Sequence, residues 1–131
     1  MGQVTGVREA IKRADAILPG RPRRSIDPRW QAIIKVGEYI ETNPASVWRF
    51  ILKWGSHTQD DLRMAIATIL LEHLLEYHFD AYFSDVEKVA LSDRLFADTF
   101  LSCWQFGQSE TPARSKRFKR FRAELNGRPR K

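Results

Sequence analysis

Apolar residues recur at intervals of three and four along most of this chain, and that spacing restricts it to helices. The pattern runs from Val7 to Leu125, and it is the period of one face of an α-helix. Between residues 27 and 107 the sequence has no period-two alternation and no Asn-Gly or Asp-Gly hairpin signal. We therefore predict an all-α protein.

The predicted helix starts share a capping residue that is followed, at three junctions, by proline. These junctions are Asp27-Pro28, Asn43-Pro44 and Thr111-Pro112. A polar side chain at the cap accepts from an unpaired backbone N–H, and proline loses nothing at the first helical position. Helices are predicted over residues 6–18 and from Asp27, Asn43, Thr58 or Asp60, Asp80, Asp93 and Thr111. The helix from Thr58 or Asp60 is the most apolar and should be central, and the helix from Asp93 should end near Gly107.

A period of 33 residues runs through the middle of the chain. Asp27, Asp60 and Asp93 are separated by this interval. At the same offset, Ala32-Ile33 aligns with Ala65-Ile66. A fixed period of 20 to 50 residues indicates stacked helical hairpins.

The second of these periods resembles the first helix of a HEAT repeat. That pattern places an acid before an aliphatic-arginine pair, followed by small and aliphatic residues. The matching residues here are Asp60 or Asp61, Leu62-Arg63, Ala65 and Leu70. The resemblance covers about residues 27–91 and implies antiparallel helix pairs, 27–54 and 58–91, in a short stack. Proteins of that family mostly serve as binding scaffolds.

Charge divides the chain into three segments. Residues 1–26, a short helix and a basic linker, carry a net charge of +4. Residues 27–108, the helical-repeat-like body, carry −5, and residues 109–131, a basic amphipathic helix and tail, carry +7. The longest apolar run is too short to span a membrane, and the single Cys103 requires no oxidising compartment. We expect a cytoplasmic protein without integral membrane association.

The C-terminal segment carries the strongest functional signal. Phe118, Phe121 and Leu125 form one narrow apolar stripe that is expected to dock on the acidic body. Cations cover much of the rest of this helix, namely Arg114, Lys116, Arg117, Lys119, Arg120 and Arg122, and the N-terminal linker adds Arg21, Arg23 and Arg24. We expect these residues to contact nucleic-acid phosphate or an acidic protein partner, without catalysis and without a cofactor.

Four alternatives stay open at this point. The basic helix could lie on an anionic membrane surface, although its apolar stripe is narrow for that role. The surface of the helical repeat could instead serve as a protein-interaction scaffold. The basic helix could engage the acidic body of a second copy, which is self-association. A metal-dependent hydrolase would use Glu72, His73 and His78, although histidines five residues apart do not share a helix face. No phosphate loop, GxSxG or CxxC motif supports an enzyme.

Overall fold

All of the regular structure that the computed structural model describes is helical. The structure describes residues 2–20 and 28–128, and those ranges contain no strand. In chain order the elements are α1 (Gly2–Ile17), α2 (Pro28–Gly37), α3 (Pro44–Trp54), α4 (Asp60–Ala65), a π-helical turn (Ile66–Leu71), α5 (Glu72–Ser92), α6 (Arg94–Leu101), a 3-10 turn (Gly107–Glu110) and α7 (Pro112–Asn126). The all-α prediction is confirmed.

Two of the predicted cap-proline junctions begin helices. α3 starts after Asn43 and α7 after Thr111, each with proline in its first turn. Neither capping side chain bonds the helix backbone, so the fixed φ of proline is the main local signal at both starts. Asp93 does cap α6, because its carboxylate accepts from the Phe96 N–H at 3.1 Å. Asp27 lies outside the described residues.

The run from α4 through the π-helical turn to α5 is the centre of the molecule. Leu62, Ile66, Leu70 and Leu74 along it are completely buried. The π-helical turn packs against α2, α3 and α6. The prediction that this helix is the most buried element is confirmed.

One predicted boundary is close to the structure and another was wrong. The helix predicted from Asp80 corresponds to the second half of α5, which begins after a break at His78 (φ −139°, ψ 43°), two residues before Asp80. α6 ends at Leu101 rather than near Gly107. The reason is a tertiary contact, since the Trp104 N–H donates at 2.9 Å to the carboxylate of Glu72, 32 residues earlier in the chain, and so leaves the helical pattern. Gly107 has a φ of +52° and starts the 3-10 turn.

A buried arginine connects α2 to the start of α4. The Arg29 side chain is 1% exposed. It donates to Gln59 Oε1 at 2.7 Å and to Asp61 Oδ2 at 2.8 Å, and its guanidinium lies 5.0 Å from the Trp30 ring centroid. A buried charge is tolerated when it is paired and hydrogen-bonded. Arg29 therefore holds two helices in register through polar contacts inside the fold.

Candidate nucleic-acid interface

α7 lies against the body through its apolar stripe. Phe118, Phe121 and Leu125 are buried. The ring centroids of Phe118 and Phe121 lie 4.9 and 5.4 Å from that of Phe100 in α6. They lie 6.0 and 6.1 Å from that of Phe83 in α5. The expected docking of the stripe is confirmed, and it fixes which side of α7 faces solvent.

Two of the six predicted α7 cations form ion pairs with α5. Arg114 donates twice to the Asp80 carboxylate, at 3.0 and 2.7 Å. This guanidinium holds the pKa of Asp80 below its usual value. Arg117 donates to Glu87 at 2.6 Å and to the Ser84 hydroxyl at 3.1 Å. Both arginines therefore bind the acidic surface of the body rather than facing solvent alone.

A third arginine, Arg122, binds backbone carbonyls at the end of α6. It donates to the oxygens of Leu101 at 2.8 Å and Cys103 at 3.0 Å. The last carbonyls of a helix have no intrahelical partner, so a cation there satisfies them and interacts favourably with the helix dipole. We call Arg114, Arg117 and Arg122 the inner arginines, because each contacts the body.

The other three cations point away from the body. Lys116, Lys119 and Arg120 are exposed. At 3.6 residues per turn they fall within an arc of about 100°, on the side of α7 opposite the apolar stripe. None of them forms a hydrogen bond or ion pair in the described parts of the chain. We call these three side chains the outer face of α7.

An exposed tryptophan stands beside the outer face. The Trp104 residue is 70% exposed, the largest exposure of any large hydrophobic residue in the described ranges. Trp104 lines a cleft of about 330 Å³ together with Ser115 and Lys119 of α7. Glu110 is an acid in that lining. A cation and an aromatic surface are therefore available to one ligand.

Backbone hydrogen bonding holds Trp104 in this position. Its N–H donates to Glu72 Oε1, and Glu72 is 5% exposed. Burial raises the pKa of Glu72, and the opposing effects are the Trp104 hydrogen bond and the nearby His73. His73 Nδ1 lies 2.7 Å from Glu76, and its ring stacks on Phe106 at 5.4 Å. The loop that presents the indole is thus anchored at both Trp104 and Phe106.

The residues weighed for a metal site do not come together. His73 lies beside Glu72, but the Nε2 atom of His78 is 3.0 Å from the Ile40 carbonyl. The His78 ring packs edge-on against Tyr82. Within residues 2–20 and 28–128, no group of three His, Cys, Asp or Glu side chains could hold a metal ion. Cys103 is fully buried, and burial raises its pKa well above the usual value.

The remaining predicted site residues lie beyond the described structure. Arg21, Arg23 and Arg24 fall in the range 21–27, whose structure is not described. No sequence pattern singles out Trp104 as a functional residue. Its spacing of four from Phe100 is that of a buried stripe, and only the end of α6 at Leu101 removes it from that stripe.

The chain matches no protein-family model, no curated protein and no solved structure. In the described parts of the chain, no helix is long and apolar enough to cross a membrane.

Proposed function

We propose that this protein binds single-stranded nucleic acid through the outer face of α7 and Trp104. The observation that carries the proposal is an exposed indole beside three cations that form no hydrogen bond or ion pair in the described structure. Proteins that bind single strands combine a positively charged surface, which follows the phosphates, with aromatic side chains, on which bases stack. Lys116, Lys119 and Arg120 supply the first of these and Trp104 the second.

Trp104 favours nucleic acid over an acidic protein partner. Cations alone would attract either polyanion, because both present negative charge. A base additionally offers a flat π surface, and stacking on an aromatic side chain contributes about 1–3 kcal/mol per base. A base stacked on Trp104 would lie next to Lys119, which lines the same cleft and would contact phosphate.

The same geometry favours single strands over duplexes. A base must be unpaired and unstacked before it can stack on a side chain. Contacts from lysine and arginine to phosphate carry no sequence information. The proposed binding is therefore tolerant of sequence, and it is expected to be weaker for a duplex of the same charge.

The direct test is fluorescence anisotropy with labelled oligothymidylate and a matched duplex. The test variant is K116Q/K119Q/R120Q, which removes the outer face. The matched control K35Q/K88Q/R94Q removes three other exposed cations and leaves the same net charge. We expect the test variant to lose binding and the control to retain most of it. Equal losses in the two variants would overturn the proposed site, because they would show a response to net charge alone.

A second candidate function is a protein-interaction scaffold, and an exposed apolar strip favours it. Ile34 of α2 and Tyr77 of α5 are 46% and 42% exposed, and they line one cleft together with His73. Glu38 and Glu41 also line this cleft. Under this hypothesis the HEAT-like pairing of helices would form the scaffold, and the strip would dock a partner.

Self-association is the first form of that second candidate to test. Light scattering coupled to size exclusion gives the mass of the wild type and of Ile34→Glu. If the strip joins two copies, the wild-type mass should rise from that of a monomer to that of a dimer as the protein concentration increases. The variant should stay monomeric. A wild type that is monomeric at all concentrations would exclude a second copy as the partner. The triple variant of the outer face should behave like the wild type in this assay.

A further inference from the structure

A second charged groove lies between α1 and α3, on elements that the proposed nucleic-acid site does not use. It encloses about 450 Å³, which is within the range of small-molecule sites. Its apolar floor is formed by Ile11 of α1 and Phe50 of α3. Ile11 is half-buried and supplies most of the accessible surface of this floor, because Phe50 is only 2% exposed and belongs to the packed contact between the two helices.

Four cations stand along the two sides of this groove. Arg8 and Lys12 are separated by four residues on α1, and Arg49 and Lys53 by four residues on α3. That spacing puts both members of a pair on one face of their helix. Arg8 and Lys12 form no ion pair in the described parts of the chain, and Arg49 donates to the Ser46 hydroxyl at 3.3 Å.

The one acid in the lining is already neutralised by its neighbours. Asp15 Oδ1 accepts from the Trp54 indole N–H at 2.8 Å. Asp15 Oδ2 lies 3.3 Å from Lys53 Nζ. Asp15 and Lys53 therefore offset each other and join α1 to α3. Arg8, Lys12 and Arg49 are left as positive charge without an acidic partner in the lining.

We propose that this groove binds a small amphipathic anion, meaning a carboxylate or phosphate carried on an apolar chain or ring. The apolar part would lie on Ile11 and on the apolar stems of the lining cations, where its transfer from water is favourable. The anionic group would lie between the two helices, where arginine can donate charge-assisted hydrogen bonds to either oxyanion. A polyanion without an apolar part would leave the floor uncovered.

Isothermal titration of the full chain tests both halves of the ligand. The probes are octyl phosphate and octanoate, each below its micelle-forming concentration, with inorganic phosphate and octanol as single-feature controls. We expect at least one amphipathic anion to bind about tenfold or more tightly than either control. Comparable binding of inorganic phosphate, or of octanol, would overturn the amphipathic character of the site.

Substitution and NMR shift mapping locate the binding. R8Q/R49Q removes one arginine from each side, while K88Q/R94Q removes two exposed cations outside the groove. Binding should weaken about tenfold or more in the first variant and change less than about twofold in the second. Backbone amide shifts should cluster on α1 and α3 of the wild type. Equal affinity in both variants, shifts elsewhere, or binding only to vesicles of phosphatidic acid would overturn the proposal. Thermal melts confirm that the variants are folded.

Discussion

The salt dependence of binding should separate the outer face from the inner arginines. Affinity for single strands falls with salt by about 0.7 log units per log unit for each phosphate that is contacted. Lys116, Lys119 and Arg120 have no partner in the described structure, whereas the inner arginines already contact the body. We therefore expect K116Q/K119Q/R120Q to make the slope of log affinity against log salt concentration less steep. Substituting the same number of inner arginines should leave that slope largely unchanged.

The magnitude follows from the count of available cations. Three phosphate contacts give a slope contribution of about −2, and six would give about −4. Between about 50 and 200 mM salt, these contributions reduce affinity about 20-fold and about 300-fold respectively. Cations elsewhere in the chain contribute equally to wild type and variant, so the difference between the two slopes isolates the outer face.

The assay is anisotropy of labelled oligothymidylate across a salt series. It compares the wild type, the outer-face variant and R114Q/R117Q/R122Q, which removes the same number of charges from the inner arginines. The outer-face variant should lose about 2 units of slope and the inner variant less than about 0.7. Because Arg114 and Arg117 contact Asp80 and Glu87, the inner variant should instead lose thermal stability. Equal slope losses, or a difference of about 4 units for the outer face, would refute the division of α7 into two sides.

Four further outcomes are expected. Trp104→Ala should weaken single-strand binding by about 1–3 kcal/mol without changing the salt slope, as anisotropy would show. Phe118→Ala should lower the free energy of unfolding in urea by about 3–5 kcal/mol, because it leaves a cavity against α5 and α6. Arg29→Met should lower the free energy of unfolding by about 1–3 kcal/mol in the same assay. This is less than the cost of removing one partner of a fully buried ion pair, because Asp61 is 49% exposed and can be solvated. The pKa of Glu72 is raised in the fold, so the folded state holds this proton more tightly than the unfolded chain. Stability should therefore fall as pH rises from the usual pKa of 4.5 through the raised value.

Matched variants control these four measurements. Trp104→Phe keeps a stacking ring and should retain much of the binding. Arg120→Ala on the same helix is exposed and should change the free energy of unfolding by less than about 0.5 kcal/mol. In Glu72→Gln the side chain can still accept from the Trp104 N–H but no longer titrates. The stability of this variant should therefore not fall between pH 4.5 and the raised pKa of Glu72. An identical pH profile in Glu72→Gln and the wild type would exclude Glu72 as the cause.

Local signals in the sequence were sufficient for the helix class and for the docking of α7. The stripe of Phe118, Phe121 and Leu125 could be recognised from spacing alone, because one helix face repeats at three and four residues. The ends of the helices were harder to predict from the sequence. The end of α6 depends on the Glu72 carboxylate, which accepts the Trp104 N–H from 32 residues away. No local pattern around Trp104 contains that information.

The candidate sites show the same division between local and tertiary information. Sequence identified the six α7 cations as one group, and only the positions of Asp80, Glu87 and the α6 carbonyls divide them into two. In the α1–α3 groove, the spacing of Arg8 and Lys12 was visible in the sequence. Its alignment with Arg49 and Lys53 depends on how two helices pack, which periodicity does not specify.

The packing of α7 also determines which experiment can test its function. A chain ending at Ser109 would remove the basic helix, but it would also expose Phe83 and Phe100, whose rings contact Phe118 at 6.0 and 4.9 Å. Uncovering apolar core residues costs about 1.5–3 kcal/mol for each large side chain, a large share of the stability of one domain. Loss of binding in the shortened chain would then report unfolding as readily as loss of phosphate contacts. Charge-neutral glutamine substitutions on the outer face keep the apolar stripe in place, so a loss of binding in that variant can be assigned to the cations themselves.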